Sequence, residues 1–241
     1  MNPDPRERLI VALDFPSADE ALGFAERMGE IVTFYKVGLE LFSAAGPEIV
    51  ERLKTLGKSV FLDMKFHDIP NTVAGAAASA TRLGVDMFNV HALGGMAMMR
   101  AAADAVVRTA SGLEVKRPVV LAVTVLTSLD RRALEEEIGF SLANGVGPFV
   151  IAKARQAKEA GLDGVVASPH EAAAIRAACG SSFQIVTPGI RPSWEHANDQ
   201  KRVATPAEAL AAGADRIVVG RPITKARDPL EAAGKILAEM T

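Results

Sequence analysis

Three carboxylates and two lysines, Asp14, Lys36, Asp63, Lys65 and Asp68, stand at spacings that suit proton transfer beside a departing anion. The run Phe61-Leu62-Asp63-Met64-Lys65-Phe66-His67-Asp68 sets an ammonium between acids, while Asp14 and Lys36 each close an apolar run elsewhere. A lysine that attacks a carbonyl must be neutral, and carboxylates two and three residues away favour its charged form, so Schiff-base chemistry is disfavoured. A divalent metal on these carboxylates would compete with the interleaved ammonium groups for the same oxygens. A charged lysine between carboxylates is suited instead to protonating a carbanion. Its acidic neighbours would repel a substrate carboxylate, and loss of CO2 relieves that repulsion as the transition state forms. A structural salt-bridge network would leave the same trace in sequence.

Such side chains need a frame that brings distant segments together. Short β-branched runs alternate with Ala-rich helical stretches along the chain, the pattern of a parallel sheet with crossover helices. Strands are expected over 9–14, 32–38, 59–65, 86–91, 118–125, 163–167, 184–188 and 215–220. Eight units without a Gly-x-Gly-x-x-Gly turn favour an α/β fold of the single-domain (β/α)8 TIM barrel type, spanning 1–241, over an open doubly wound sheet. No internal sequence repeat is evident. Period-two alternation puts Phe61, Asp63 and Lys65 on one strand face and Leu62, Met64 and Phe66 on the other, so the charged set can face the barrel mouth. His67 then has the opposite parity from Lys65 and reads as structural.

Chemistry in such barrels gathers at the C-terminal strand ends, and these ends are polar. The fourth run ends in Asn89 and His91, the fifth leads to Thr127 and Ser128, the seventh to Pro188 and Gly189, and the eighth to Gly220 and Arg221. A lone histidine such as His91 more often satisfies a hydrogen bond than binds metal, and no cluster of zinc ligands appears. The loops after strands seven and eight often hold phosphate. Here they carry Gly189, Arg191, Gly220 and Arg221, glycines for close backbone approach and arginine forks for the anion, with Pro222 placed to open a short helix. A phosphorylated substrate is the reading; turn glycines with surface arginines are the alternative. Residues 189–204 form a polar connection longer than usual and are a candidate lid that would close over the phosphate, or a disordered loop.

Composition excludes several classes. A net charge of -2, with basic residues scattered, offers no field for a nucleic-acid backbone. The single cysteine, Cys179, has no partner for a disulfide and reads as a quiet position near a helix end. The N-terminal Met-Asn-Pro-Asp-Pro-Arg-Glu-Arg lacks the apolar core of a signal peptide, and no run suits a membrane span, so a cytoplasmic location is expected.

Taken together, these strings resemble the orotidine 5′-monophosphate decarboxylase family over nearly the whole chain. The match comprises Val11-Ala12-Leu13-Asp14, Lys36-Val37-Gly38, Phe61 through Asp68 continuing as Ile69-Pro70-Asn71-Thr72, Asn89-Val90-His91-Ala92, Thr124 through Ser128, Thr187-Pro188-Gly189-Ile190-Arg191 and Val218-Val219-Gly220-Arg221. The resemblance implies decarboxylation of orotidine 5′-monophosphate to uridine 5′-monophosphate and CO2 in pyrimidine synthesis, with no metal or organic cofactor. Lys65 would protonate C6, Asp63 would lie beside the leaving carboxylate, and Lys36 would complete the array. Asp68 would reach in from a second subunit, which implies a homodimer. Asp14 would contact the ribose, Thr127 and Ser128 the nucleotide and its base, and Arg191, Gln200, Gly220 and Arg221 the phosphate region; Thr72 and Pro188 fall in the matched strings and join the substrate-binding set. Two rivals stand: a metal-dependent sugar-phosphate decarboxylase of the same superfamily, which shares an Asp-x-Lys-x-x-Asp segment, and a non-catalytic phosphate-binding barrel. The Ile69-Pro70-Asn71-Thr72 continuation argues against the first, and the intact charged set against the second.

Overall fold

A computed structural model of the chain describes residues 4–194 and 204–241. Eight parallel strands, β1 (Leu9–Ala12), β2 (Phe34–Gly38), β3 (Ser59–Phe66), β4 (Met87–His91), β5 (Val119–Val123), β6 (Gly164–Val166), β7 (Gln184–Thr187) and β8 (Arg216–Val219), form a closed barrel in which β8 pairs with β1. Each lies within two residues of its expected bounds. Around them run α1 (Pro5–Arg8), α2 (Ala18–Met28), α3 (Leu39–Ala45), α4 (Glu48–Thr55), α5 (Pro70–Arg82), α6 (Gly95–Leu113), α7 (Val146–Glu159), α8 (Pro169–Cys179), α9 (Pro206–Ala211), α10 (Arg221–Thr224) and α11 (Pro229–Glu239). This is a single-domain TIM barrel.

The helices start where the sequence supplies caps. Ser17, Ser168, Thr205 and Asp228 accept backbone N–H bonds at the starts of α2, α8, α9 and α11, and the last three are followed by proline at the first helical position, where the missing N–H costs nothing. Thr205 and Glu208 complete a reciprocal capping box.

Alternation along the strands sorts side chains into two cores. Leu9, Val11, Tyr35, Val37, Val60, Leu62, Phe88 and Val90 pack outward against the helices. Ile10, Ala12, Phe34, Phe61, Met87, Leu121, Val186 and Val218 fill the interior. At the N-terminal end of this column the Arg216 guanidinium lies 6.0 Å from the Phe34 ring centroid and donates to Gln184 Oε1 at 2.5 Å and to the Glu7 carbonyl at 3.1 Å, forming a polar floor. β6 approaches β7 so closely that a side chain at Gly164 would collide with the Gln184 backbone.

Although whole units do not repeat in sequence, a short signature does. Gly84-Val85-Asp86, Gly161-Leu162-Asp163 and Gly213-Ala214-Asp215 each turn the chain through a left-handed glycine, with φ of 71°, 86° and 103°, into β4, β6 and β8. Each aspartate then accepts the N–H of a residue in the preceding strand: Val60 at 2.9 Å, Val120 at 2.7 Å and Ile185 at 2.7 Å. Each is also paired with a cation, Lys54, Arg117 and Arg176 at 2.7, 2.8 and 2.6 Å. These three clamps hold alternate strand pairs in register at the end of the barrel opposite the mouth.

Candidate active site

The mouth is shaped by an irregularity in β3. Leu62 pairs with Phe88 and Phe66 with Val90, so four residues of β3 span what two of β4 do. The surplus is absorbed at Lys65, whose φ of 52° is left-handed, a region unfavourable for a residue with a Cβ. The Lys65 N–H leaves the ladder and donates instead to Asn89 Oδ1 at 2.7 Å. Despite this break in the pairing the expected faces hold: Phe61, Asp63 and Lys65 line the mouth, and Leu62, Met64 and Phe66 pack on the outer core.

From this kink extends a chain of alternating charge. Lys65 Nζ donates to Asp63 Oδ1 at 2.7 Å, Asp63 Oδ2 lies 3.4 Å from Lys36 Nζ, and Lys36 donates to Asp14 Oδ1 at 3.1 Å. Lys36 and Asp63 are 12% and 13% exposed in their side chains, Lys65 30% and Asp14 57%, so the array runs from the buried wall out to the rim. Burial on this scale is tolerable because each inner charge meets an opposite one. Gly38 makes room for it: a Cβ there would sit 2.7 Å from Lys36 Nζ.

The array borders a cleft of about 190 Å³ whose other walls are mostly apolar, with Val123, Val125, Val166 and Val218 facing Lys36, Asp63, Lys65, Thr127 and Pro188. Such a space accepts a flat, partly apolar ring on one side and presents charge on the other. Ser128 is exposed just beyond Thr127. At the β7–β8 side, the Arg191 N–H donates to the Ala204 carbonyl at 3.0 Å, Gly220 caps α10, and Arg221 begins that helix. This is the short extra helix after the eighth strand expected of a barrel phosphate site. A Cβ on Gly220 would approach Asp14 Oδ2 at 3.8 Å, so the two expected substrate contacts are neighbours. Gln200 and most of the 189–204 segment, 195–203, lie outside the described residues.

Asp68 does not converge with the array in this chain. It is exposed, and its Oδ1 accepts from the Ile69 N–H at 2.6 Å at the start of α5. Thr72 is exposed on the first turn of the same helix, and Ile69 between them is 66% exposed. The charged motif thus divides: Asp63 and Lys65 turn into the barrel mouth, and Asp68 and Thr72 present an outer surface.

Of the polar residues that end the fourth run, His91 makes the hydrogen bond expected of it, whereas the partners of Asn89 were not foreseen. Asn89, fully buried on β4, donates from Nδ2 to Asp63 Oδ1 at 2.7 Å while accepting from Lys65. His91, also inward on β4, stacks on His67 at 5.3 Å between centroids and accepts from the Leu93 N–H. Burial, reinforced by the His67 ring and the Lys65 ammonium, pushes His91 from 6.5 down to about 4, so it is neutral at pH 7. The signal available was the pair of polar residues, Asn and His, in an otherwise apolar Met-Phe-Asn-Val-His strand. Cys179 ends α8 and is buried, which raises its thiol pKa and keeps it unreactive. No helix among the described residues is long and apolar enough to cross a membrane.

Comparison with known proteins agrees with this geometry. Residues 7–236 match the model of the orotidine 5′-phosphate decarboxylase / HUMPS family. The chain is 53% identical over 235 residues to an orotidine 5′-phosphate decarboxylase of Syntrophomonas wolfei, covering 98% of both chains. It is 55% identical over 235 residues to that of Moorella thermoacetica, covering 98% of this chain and 92% of the relative. The crystal structure of orotidine 5′-phosphate decarboxylase from Lactobacillus acidophilus superposes with a TM-score of 0.86 at 38% identity, covering 97% of this chain and 98% of that one. With the family model spanning almost all of its barrel, the chain belongs to the orotidine 5′-phosphate decarboxylase / HUMPS family.

Proposed function

We propose that the protein converts orotidine 5′-monophosphate to uridine 5′-monophosphate and CO2, with Lys65 as the proton donor to C6. The observation that carries this reading is the alternating Asp14, Lys36, Asp63, Lys65 chain beside an apolar cleft. The pyrimidine lies against the valines and Thr127, and its carboxylate is directed at Asp63. Repulsion between the two anions is relieved as the C6–CO2 bond breaks and its electron pair remains on C6. Lys65 Nζ delivers a proton to that pair, leaving a neutral amine that regains a proton from water. Lys36 holds Asp63 in place while contacting Asp14, which binds the ribose. Electrostatic preorganisation does the work a cofactor would otherwise supply. Arg191, Gln200, Gly220 and Arg221 bind the phosphate, Ser128 the base, and Pro188 the cleft wall, with 189–204 closing over the substrate.

We further propose that two chains pair through the face that carries Asp68, Ile69 and Thr72, and that Asp68 completes the partner's array. The strong exposure of Ile69 beside an acid that meets none of its own chain's array supports this.

The test is turnover of orotidine 5′-monophosphate in excess chelator, followed as uridine 5′-monophosphate by chromatography. Product should form with chelator present. Lys65→Ala should lower kcat by on the order of 10⁴-fold, to background, while uridine 5′-monophosphate still binds by calorimetry. Activity that vanishes with chelator and returns with magnesium, on a sugar phosphate instead, would replace this reading with the metal-dependent one.

A further inference from the structure

Among the described residues, Asn89 is the neutral side chain that hydrogen-bonds to both members of the Asp63–Lys65 pair. Its Nδ2 donates to Asp63 Oδ1 at 2.7 Å, and its Oδ1 accepts the Lys65 backbone N–H at 2.7 Å. Asp63 Oδ1 therefore receives two donors, Asn89 Nδ2 and Lys65 Nζ, which fixes the direction of its lone pairs and leaves Oδ2 toward Lys36. The amide orientation is dictated by its partners, since a carboxylate only accepts and an N–H only donates. The bond to the Lys65 N–H is formed where β3 has left its ladder and Lys65 is left-handed, a conformation that persists only when its surroundings over-determine it. Asn89 itself is fully buried among the strand packing of β4, so the amide cannot swing away.

We propose that Asn89 is a positioning residue: it locks the left-handed turn at Lys65 and the rotamer of Asp63 together, so that ammonium and carboxylate meet the reacting carbon in one fixed geometry. Asparagine suits this because one planar group supplies a donor and an acceptor on opposite atoms, without a charge that would compete with Lys65 or Asp63. The proposal rests on the reading of Lys65 as proton donor, but its backbone half can be measured without substrate.

The experiment compares wild type, Asn89→Ala and the isosteric Asn89→Asp. Asn89→Ala should lose on the order of 10²-fold in kcat, the size of effect a misplacement of about 1 Å produces, with KM little changed. Its Lys65 amide should exchange with deuterium on the order of 10-fold faster or more, while distant core amides keep their protection. Asn89→Asp retains an acceptor, so the Lys65 amide stays protected, but an ionised carboxylate there donates nothing to Asp63. Its kcat relative to wild type should therefore rise as pH falls and the new carboxyl becomes a donor. The groups facing this position, Asp63 and Lys65 on β3, Lys36 on β2 and the stacked His67 and His91, are common to both proteins, so the ratio isolates the substituted side chain. Unchanged Lys65 exchange or unchanged kcat in Asn89→Ala would overturn the proposal, as would equal loss of protection throughout the core. Should Asn89→Ala fail to fold, a pH-independent ratio for Asn89→Asp would overturn it. If wild type makes no uridine 5′-monophosphate yet the exchange pattern appears, the substrate reading fails and the positioning of Lys65 by Asn89 is upheld.

Discussion

At the scale of single residues, the site depends on keeping cations where they are wanted and absent elsewhere. His91 illustrates the second half. Its ring faces the barrel mouth behind Lys65 and His67, and burial lowers it to about 4. A base whose folded value lies below its unfolded one binds fewer protons when folded, so its effect is absent above 6.5 and destabilises progressively as pH falls toward 4. Denaturant unfolding between pH 7 and pH 4 should show stability falling by about 2–3 kcal/mol from this residue, after allowance for solvent screening. In His91→Gln that part of the slope should disappear; an identical slope would mean that His91 is protonated freely in the folded state. The charged residues themselves were legible in sequence because acids and lysines interleave in an otherwise apolar strand, a trace that a structural ion-pair network would share. Their mutual arrangement was less legible. Period-two reasoning put Asp63 and Lys65 on the mouth side, but it assumes an unbroken ladder, so the kink at Lys65 within the charged array was hidden from it. Asn89 went unassigned because an amide's role is set by partners on another strand, to which sequence spacing is blind.

At the scale of elements, the eight strands were read to within two residues because most are short apolar runs set between Ala-rich helical stretches. The three Gly-x-Asp clamps were not, because three residues recurring at uneven intervals do not announce a repeat until the strands they join are side by side. Their energetic role is specific. In each, one aspartate answers both a strand N–H and a cation, so its loss strands two partners at once. Asp163→Ala leaves the Val120 N–H and the Arg117 guanidinium without their shared acceptor. A cost of about 1–3 kcal/mol is expected, and at roughly 2–4 °C per kcal/mol for a domain of this size Tm should fall by several degrees. Since the clamp lies at the end of the barrel away from the cleft, kcat at moderate temperature should be unaffected. A parallel drop in kcat would show that the two ends of the barrel are mechanically coupled.

At the scale of the whole molecule, the division of the charged motif between mouth and outer face predicts how chains cooperate. If Asp68 completes a neighbour's site, neither Lys65→Ala nor Asp68→Ala homodimers hold an intact one, but a mixed dimer holds one. Refolding the two variants together should restore roughly a quarter of wild-type activity, because half of the dimers are mixed and each has one intact site of two. No recovery would place Asp68 in its own chain's chemistry or in none. The polar floor has a consequence of another kind. Arg216, gripped by Gln184 and Glu7 beneath Phe34, stops one end of a packed interior, so among the described residues the barrel is closed at its floor and open at its mouth. If carbon dioxide is released beside Asp63, as proposed, it has no drain through this floor and leaves by the opening through which the nucleotide arrived. Both products then share one exit, with the small fragment slipping out around the large one or waiting for it to leave.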